Sequence, residues 1–134
     1  MLNPFPDLLS FGLAAPLILR LVVGLIFINT GYLKLNKEKK RWAIFLNAIR
    51  VKPAKQLVLL LGLIEMVCGV FLIVGFSTQY VALILLALTI KEWFVEYRED
   101  VLVSRDIVFY TLIGAILLSL LLTGAGFIAF DLPL

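Results

Sequence analysis

Residues 14–52 read AAPLILRLVVGLIFINTGYLKLNKEKKRWAIFLNAIRVK, and the change of character at Lys34 decides the fold. From Ala14 to Leu33 the only charge is Arg20. At 1.5 Å per residue, about 20 residues give about 30 Å, the thickness of a bilayer's hydrocarbon core. Pro16 suits an early helical position, where its missing N–H costs nothing. The basic run from Lys34 stops this first span. Beyond it, Trp42, Phe45, Leu46 and Ile49 follow the i, i+3, i+4, i+7 pattern of one helix face. Lys39, Lys40, Arg41 and Arg50 border that face, and the segment is too short and too charged to span. It reads as a basic amphipathic helix at the membrane surface, about residues 37–50, with Asn36 as its N-cap.

Working outward, three more apolar stretches follow, at about residues 56–74, 80–95 and 106–122. Pro53 separates the surface helix from the second span. The uncharged Gly75–Gln79 makes a tight connection into the third. Ser104 is the expected N-cap of the fourth. The ends are less regular: Leu8–Leu13 reads as a short interfacial segment, and Gly124, Gly126 and Pro133 argue against a helix running cleanly through the tail. No basic residue precedes Arg20, so a secretory signal with a basic start is not expected. The expected fold is therefore an all-α membrane protein, a bundle of four transmembrane helices with a short interfacial helix between the first two. The whole chain, 1–134, forms a single domain.

Composition agrees. Apolar residues make up 63% of the 134 residues and the mean hydropathy is +1.10. Soluble domains run nearer 45–50%, and a fold this small could not bury so much apolar surface. A soluble globule, a disordered tail and a nucleic-acid-binding module are excluded. The net charge of +3 is instead a statement about topology. Lys34, Lys37, Lys39, Lys40, Arg41, Arg50, Lys52 and Lys55 lie in one connection, and Lys91, Arg98 and Arg105 at the other. That is every basic residue except Arg20. The positive-inside rule puts both charged loops in the cytoplasm and both termini outside, as expected for a multi-pass protein of a prokaryotic inner membrane. Trp42, Trp93, Tyr97 and Tyr110 fall on the cytoplasmic side, where an aromatic belt would sit.

The absences narrow the chemistry. There is no His and one Cys. Haem held by His, a His-based zinc site, an internal disulfide and a Cys-x-x-Cys pair are all excluded. So are Ser-His-Asp and Cys-His arrangements, and the single Cys excludes the four-helix thiol oxidoreductases. Two charges lie well inside spans. Arg20 sits about 9 Å below the outer boundary, either as a fixed cation in the bundle or snorkelling to the headgroups. Glu65 lies near the middle of the second span, where its short arm cannot snorkel. It is either protonated and hydrogen-bonded in the core or paired. The two spans run antiparallel, which sets Glu65 about 6 Å deeper than Arg20, so an Arg20–Glu65 pair is the leading expectation. Small-residue faces support this packing: Arg20, Gly24, Phe27 and Gly31 on one helix, Gly62, Glu65, Met66 and Gly69 on the other. Cys68, one turn from Glu65, reads as an apolar filler. Lys34, Lys91 and Glu92 read as interface residues.

Taken in order, these residues resemble the DoxX family of membrane proteins. Arg20, Gly31 and Lys34-Leu35 match its opening around the first span. Phe45-Leu46 and Pro53 continue the match, as do Glu65, Gly69 and Gly75. The Thr123-Gly-Ala-Gly-Phe run and Asp131 are similar to its Gly-rich, Asp-containing end. The resemblance covers about residues 14–131, although the 91–106 loop is more charged than the family leads one to expect. It implies a four-helix membrane bundle, named from a subunit associated with a thiosulfate:quinone oxidoreductase system. Other members are linked to thiol or oxidative-stress homeostasis. Its site residues carry over to Arg20, Gly31, Lys34, Glu65 and Gly69.

Three functions are weighed. The first is a redox-associated subunit whose polar Arg20/Glu65 site contacts a quinone or an oxidoreductase partner. No cofactor ligand is visible in the chain, so redox chemistry would come from a partner or a bound quinone. This favours a non-catalytic subunit over a stand-alone enzyme. The second is a small proton-coupled transporter. Small multidrug transporters share four spans and one membrane Glu, but theirs lies in the first span and their charge bias is weak. The third is a structural or assembly protein. The partners expected are the lipid bilayer, a membrane oxidoreductase or further copies of the chain, and no nucleic acid.

Overall fold

The computed structural model describes residues 12, 14–48, 50, 53–98, 107–124, 126 and 129. Among these residues five helices follow in order: α1 Ala14–Asn36, α2 Lys39–Ala48, α3 Ala54–Val74, α4 Thr78–Arg98 and α5 Ile107–Thr123. No strand occurs among the described residues. α1, α3 and the Thr78–Val95 part of α4 are long and apolar enough to cross a membrane. The apolar α5 has 17 residues, about 26 Å of rise, slightly short of the hydrocarbon core. Leu8–Leu13 and Ser104 lie outside the described residues, apart from Gly12.

The long helices reach further than the spans expected of them, chiefly at the basic end. Asn36 does not cap α2; it is the last residue of α1. The amides of Lys37 and Glu38 both donate to the Leu33 carbonyl, closing α1 before α2 starts. Of the expected apolar face of α2, Trp42 and Leu46 are buried, with Ala43 beside them, while Arg41, Ile44 and Asn47 are exposed; the Phe45 side chain and Ile49 lie outside the described residues.

The α1–α3 interface is the most extensive among the described helices. Its cause is two pairs of glycines. A Cβ on Gly24 would sit 2.8 Å from the Gly69 carbonyl oxygen, and one on Gly31 would sit 2.6 Å from that of Gly62. No side chain fits in either place, so the two backbones touch. These pairs fix the antiparallel register. α4 packs mainly on α5, and α2 lies against α3.

α3 ends by a left-handed residue, Gly75, with φ 74°. The Phe76 amide donates to the Phe71 carbonyl and the Gly75 amide to that of Leu72, the two bonds of a Schellman ending. The rings of Phe71 and Phe76 meet at 5.7 Å, the apolar contact that accompanies this ending. A tight turn into α4 is thereby built from uncharged residues.

Two apolar clusters fill the bundle. One gathers Val23, Phe27, Cys68, Leu72, Leu85, Ile113 and Leu117. The other, toward the basic end, gathers Trp42, Leu46, Val58, Val95 and Tyr110. A polar layer separates them. On α3 it falls between Val58 and Cys68, on α4 between Leu85 and Val95. The outward faces, with Leu25, Leu63, Val67 and Phe94, are exposed and apolar, as lipid contact requires.

Candidate functional site

The polar layer holds the charged groups. Glu65 is 0% exposed, Lys34 3% and Glu92 2%. The Lys34 ammonium donates to Oε1 of Glu65 and to Oε1 of Glu92, bridging α3 and α4 from α1. Charges so thoroughly removed from water persist only when paired, because each costs several kcal/mol to desolvate. Trp42 of α2 covers the group: Lys34 Nζ lies 4.9 Å from its ring centroid and Lys91 Nζ 5.2 Å. Such contacts with the ring face add cation–π attraction. Two cations and two carboxylates thus share one buried site. Among the described residues, Lys91 Nζ and Oε2 of Glu65 are buried without a hydrogen-bond partner.

The direction of the side chains explains why these residues meet. Every Cα–Cβ bond in a helix tilts toward its N-terminus. Lys34 and Glu92 therefore lean from the basic ends of α1 and α4 into the bundle. Glu65, on the antiparallel α3, leans toward them. Lys34 does not end at the headgroups and Glu92 does not face the interface; both corrections have this cause. Trp42 and Tyr110 likewise leave the expected aromatic belt for the core, while Trp93 and Tyr97 remain exposed and stack on one another.

Arg20 and Glu65 are not brought together. The Gly24–Gly69 and Gly31–Gly62 pairs place Arg20 level with Ile73, eight residues from Glu65, or about 12 Å of helical rise. Both side chains also lean away from each other. The Arg20 guanidinium, 0% exposed, lies instead against Gly75, with Nη1 where a Gly75 Cβ would be. The cation sits at the C-terminal end of α3, which carries the negative pole of the helix dipole. Gly31 and Gly69 belong to the helix contact, and Gly31 lies one turn from Lys34. Cys68 is a free, buried thiol within the apolar cluster.

Sequence reasoning placed Glu65 and Lys34 among the site residues and missed Glu92, Lys91 and Trp42. The available signal was the pair of opposite charges at positions 91 and 92, still within an apolar run.

The DoxX family model matches residues 15–98, more than half of the chain and all of α2, α3 and α4. Among curated proteins and among solved structures nothing matches the chain.

Proposed function

The chain belongs to the DoxX family, and from that premise we propose that it is a redox-associated membrane subunit whose buried polar site contacts a lipid-soluble quinone or an oxidoreductase partner. The observation that carries this is the Lys34–Glu65–Glu92 group, an ionic site within an apolar bundle. A site of this kind offers a ligand both a hydrogen-bond donor and acceptors where water is scarce, and intramembrane ionisable groups mark such pathways. With no His and a single Cys, the electrons would be carried by the quinone or the partner. The charged loops would lie in the cytoplasm of a prokaryotic cell and both termini outside its inner membrane.

The test is recovery of the chain from its native membrane, with quinone mass spectrometry and protein identification on one sample. Bound quinone or an oxidoreductase is expected, and both should be depleted in Glu65→Gln. A sample holding neither overturns the reading. A second reading, a small proton-coupled transporter, is favoured by the buried Oε2 of Glu65 and Nζ of Lys91. Substrate-driven proton flux in proteoliposomes would establish it in place of the first.

A further inference from the structure

The short helix α2 turns its apolar face inward. Trp42, Ala43 and Leu46 pack with Ala54 and Val58 of α3, Val95 of α4 and Tyr110 of α5. The face expected to lie on lipid is therefore spent on the bundle. The opposite side carries Lys40, Arg41 and Ile44, all exposed, with Ile44 between the two cations around the helix. Lys37, just before α2, and Lys55, in the first turn of α3, are exposed as well. Among the described residues, Lys37, Lys40, Arg41 and Lys55 form no ion pair. From Lys34 to Lys55 the sequence has one acid, Glu38, and it is buried where its carbonyl starts α2 by accepting from the Trp42 amide. Lys39, Lys40 and Arg41 open the helix with no acid in its first turn. They crowd the positive pole of the helix dipole, an arrangement that an anion from outside the chain would relieve.

The level of α2 says where that anion comes from. Its partners Ala54, Val95 and Tyr110 stand at the first turn of α3, near the end of α4 and in the first turn of α5. α2 therefore lies across the ends of the spans, at the depth of lipid headgroups. Lys55, Leu59 and Leu63 recur every fourth residue along one exposed stripe of α3. A phospholipid whose chains lie on Leu59 and Leu63 brings its head to Lys55. Ile44, 68% exposed between two cations, fits the same boundary between head and chain. A free phosphate would make no use of either apolar contact.

We propose that the outer face of α2, with Lys37, Lys40, Arg41 and Lys55, is a docking surface for anionic phospholipid headgroups. Because the apolar face of α2 is already buried, the attraction is electrostatic. Its consequence reaches inward: headgroups that neutralise the outer face hold α2 in place, and with it Trp42 over Lys34 and Lys91. The proposal does not depend on the reading of a quinone-contacting subunit, and either can fail alone.

The test is native mass spectrometry of the full chain, released from micelles holding equal amounts of phosphatidylglycerol and phosphatidylcholine with the same acyl chains. Phosphatidylglycerol is expected to be retained roughly fivefold more, the gain that one cation brings near an anionic surface. Raising the ammonium acetate from roughly 0.02 M to roughly 0.5 M should shrink the preference by screening. Lys40→Gln with Arg41→Gln should erase most of it, while Arg98→Gln with Arg105→Gln, the same charge removed from the other loop, should leave it. Lys40→Arg, which keeps the charge, should also leave it. For the inward consequence, Trp93→Phe makes Trp42 the sole tryptophan. Acrylamide should quench it less in nanodiscs containing phosphatidylglycerol than in phosphatidylcholine alone, and the Lys40/Arg41 variant should lose that difference. Equal retention of the two lipids would overturn the proposal and leave an acidic protein as the partner of this face. Displacement of the lipid by inorganic phosphate at constant ionic strength, or equal losses in the two double variants, would also overturn it. Equal quenching of Trp42 in the two kinds of disc would overturn the hold of the headgroups on α2.

Discussion

The two ends of the α1–α3 interface are built from the same parts and put to different use. Each has a basic residue of α1, a glycine pair and a segment of α3. At one end Arg20 lies on the left-handed Gly75, at the terminus of α3 and beside the turn into α4. At the other, Lys34 lies between two carboxylates from two different helices. The difference comes from helix direction. Side chains of α1 lean toward its N-terminus, so Arg20 leans out toward the turn and Lys34 leans in toward the middle. A cation leaning outward meets the end of α3; one leaning inward meets the carboxylates of α3 and α4. The comparison assigns stability of a turn to one end and a buried polar site to the other.

The comparison breaks most visibly at Lys34. Lys34→Met removes the shared cation and leaves Glu65 and Glu92 buried together. Removing one partner of a buried ion pair costs about 3–5 kcal/mol, a large share of the roughly 5–15 kcal/mol of an ordinary fold. A large fall in the midpoint of the thermal transition in detergent is the expected readout. The triple variant Lys34→Met, Glu65→Gln, Glu92→Gln should recover part of the loss, because two carboxylates are then no longer buried together, while Lys91 keeps its contact with the Trp42 ring. If the triple variant is no better than the single one, the three groups do not act as one site.

The glycine pairs that hold the two ends in register come next. Gly31→Ala puts a methyl group 2.6 Å from the Gly62 carbonyl oxygen, a backbone atom that cannot turn aside. Forcing extra volume into such a contact costs about 1–3 kcal/mol. Gly114→Ala is the control. Its Cβ meets only Leu86 Cδ1 at 4.0 Å, and the change should be neutral or slightly stabilising through helix propensity. Thermal unfolding of both variants in one detergent decides it; equal losses would mean that the α1–α3 approach is not special.

At the Arg20 end the test residue is Gly75. Its φ of 74° is one that side-chain-bearing residues adopt at a cost of about 1 kcal/mol, and the Arg20 guanidinium occupies the place of the added methyl group. Gly75→Ala should lower the stability by about that amount, or somewhat more where the guanidinium must move. Hydrogen exchange at the α3–α4 turn should rise while the Lys34 end stays protected. Spread of the increase to α2 would show that the two ends are coupled.

These particulars also mark what the sequence could disclose. Hydropathy, length and charge placed the four long helices and the short helix between the first two, because each of those properties follows from the bilayer and needs no knowledge of neighbours. Gly24, Gly31, Gly62 and Gly69 were legible for the same kind of reason: a repeat on one helix face means close approach. The polar site was half legible. Glu65 stood out because a mid-span carboxylate has no other explanation. Its partner was misassigned to Arg20 because span boundaries were used as the vertical scale. The glycine contacts, which no boundary reveals, shift α1 against α3 and carry Arg20 up to the turn. Lys91 and Glu92 were hidden by their place near the end of a span, where charges usually meet water.

The smallest effect is the most pointed. If the ends are separate, Arg20 and Glu65 have no energetic business with each other. A double-mutant cycle with Arg20→Met and Glu65→Gln should then be additive within about 0.5 kcal/mol, the tolerance for sites without shared partners. The parallel cycle on Lys34→Met and Glu65→Gln should show a coupling well above that, because the two share a hydrogen bond in a medium that screens little. Both cycles start from the same Glu65 variant, so a shared error in that variant cancels from the contrast. Strong coupling in the Arg20 cycle would restore the pairing that depth alone suggests and would require α1 to slide by about two turns against α3. The glycine contacts forbid such a slide, since it would bring Val23 level with Gly62 and Pro16 level with Gly69, where only a glycine now fits. Additivity in one cycle with coupling in the other is therefore a test of helix register as much as of the ion pair.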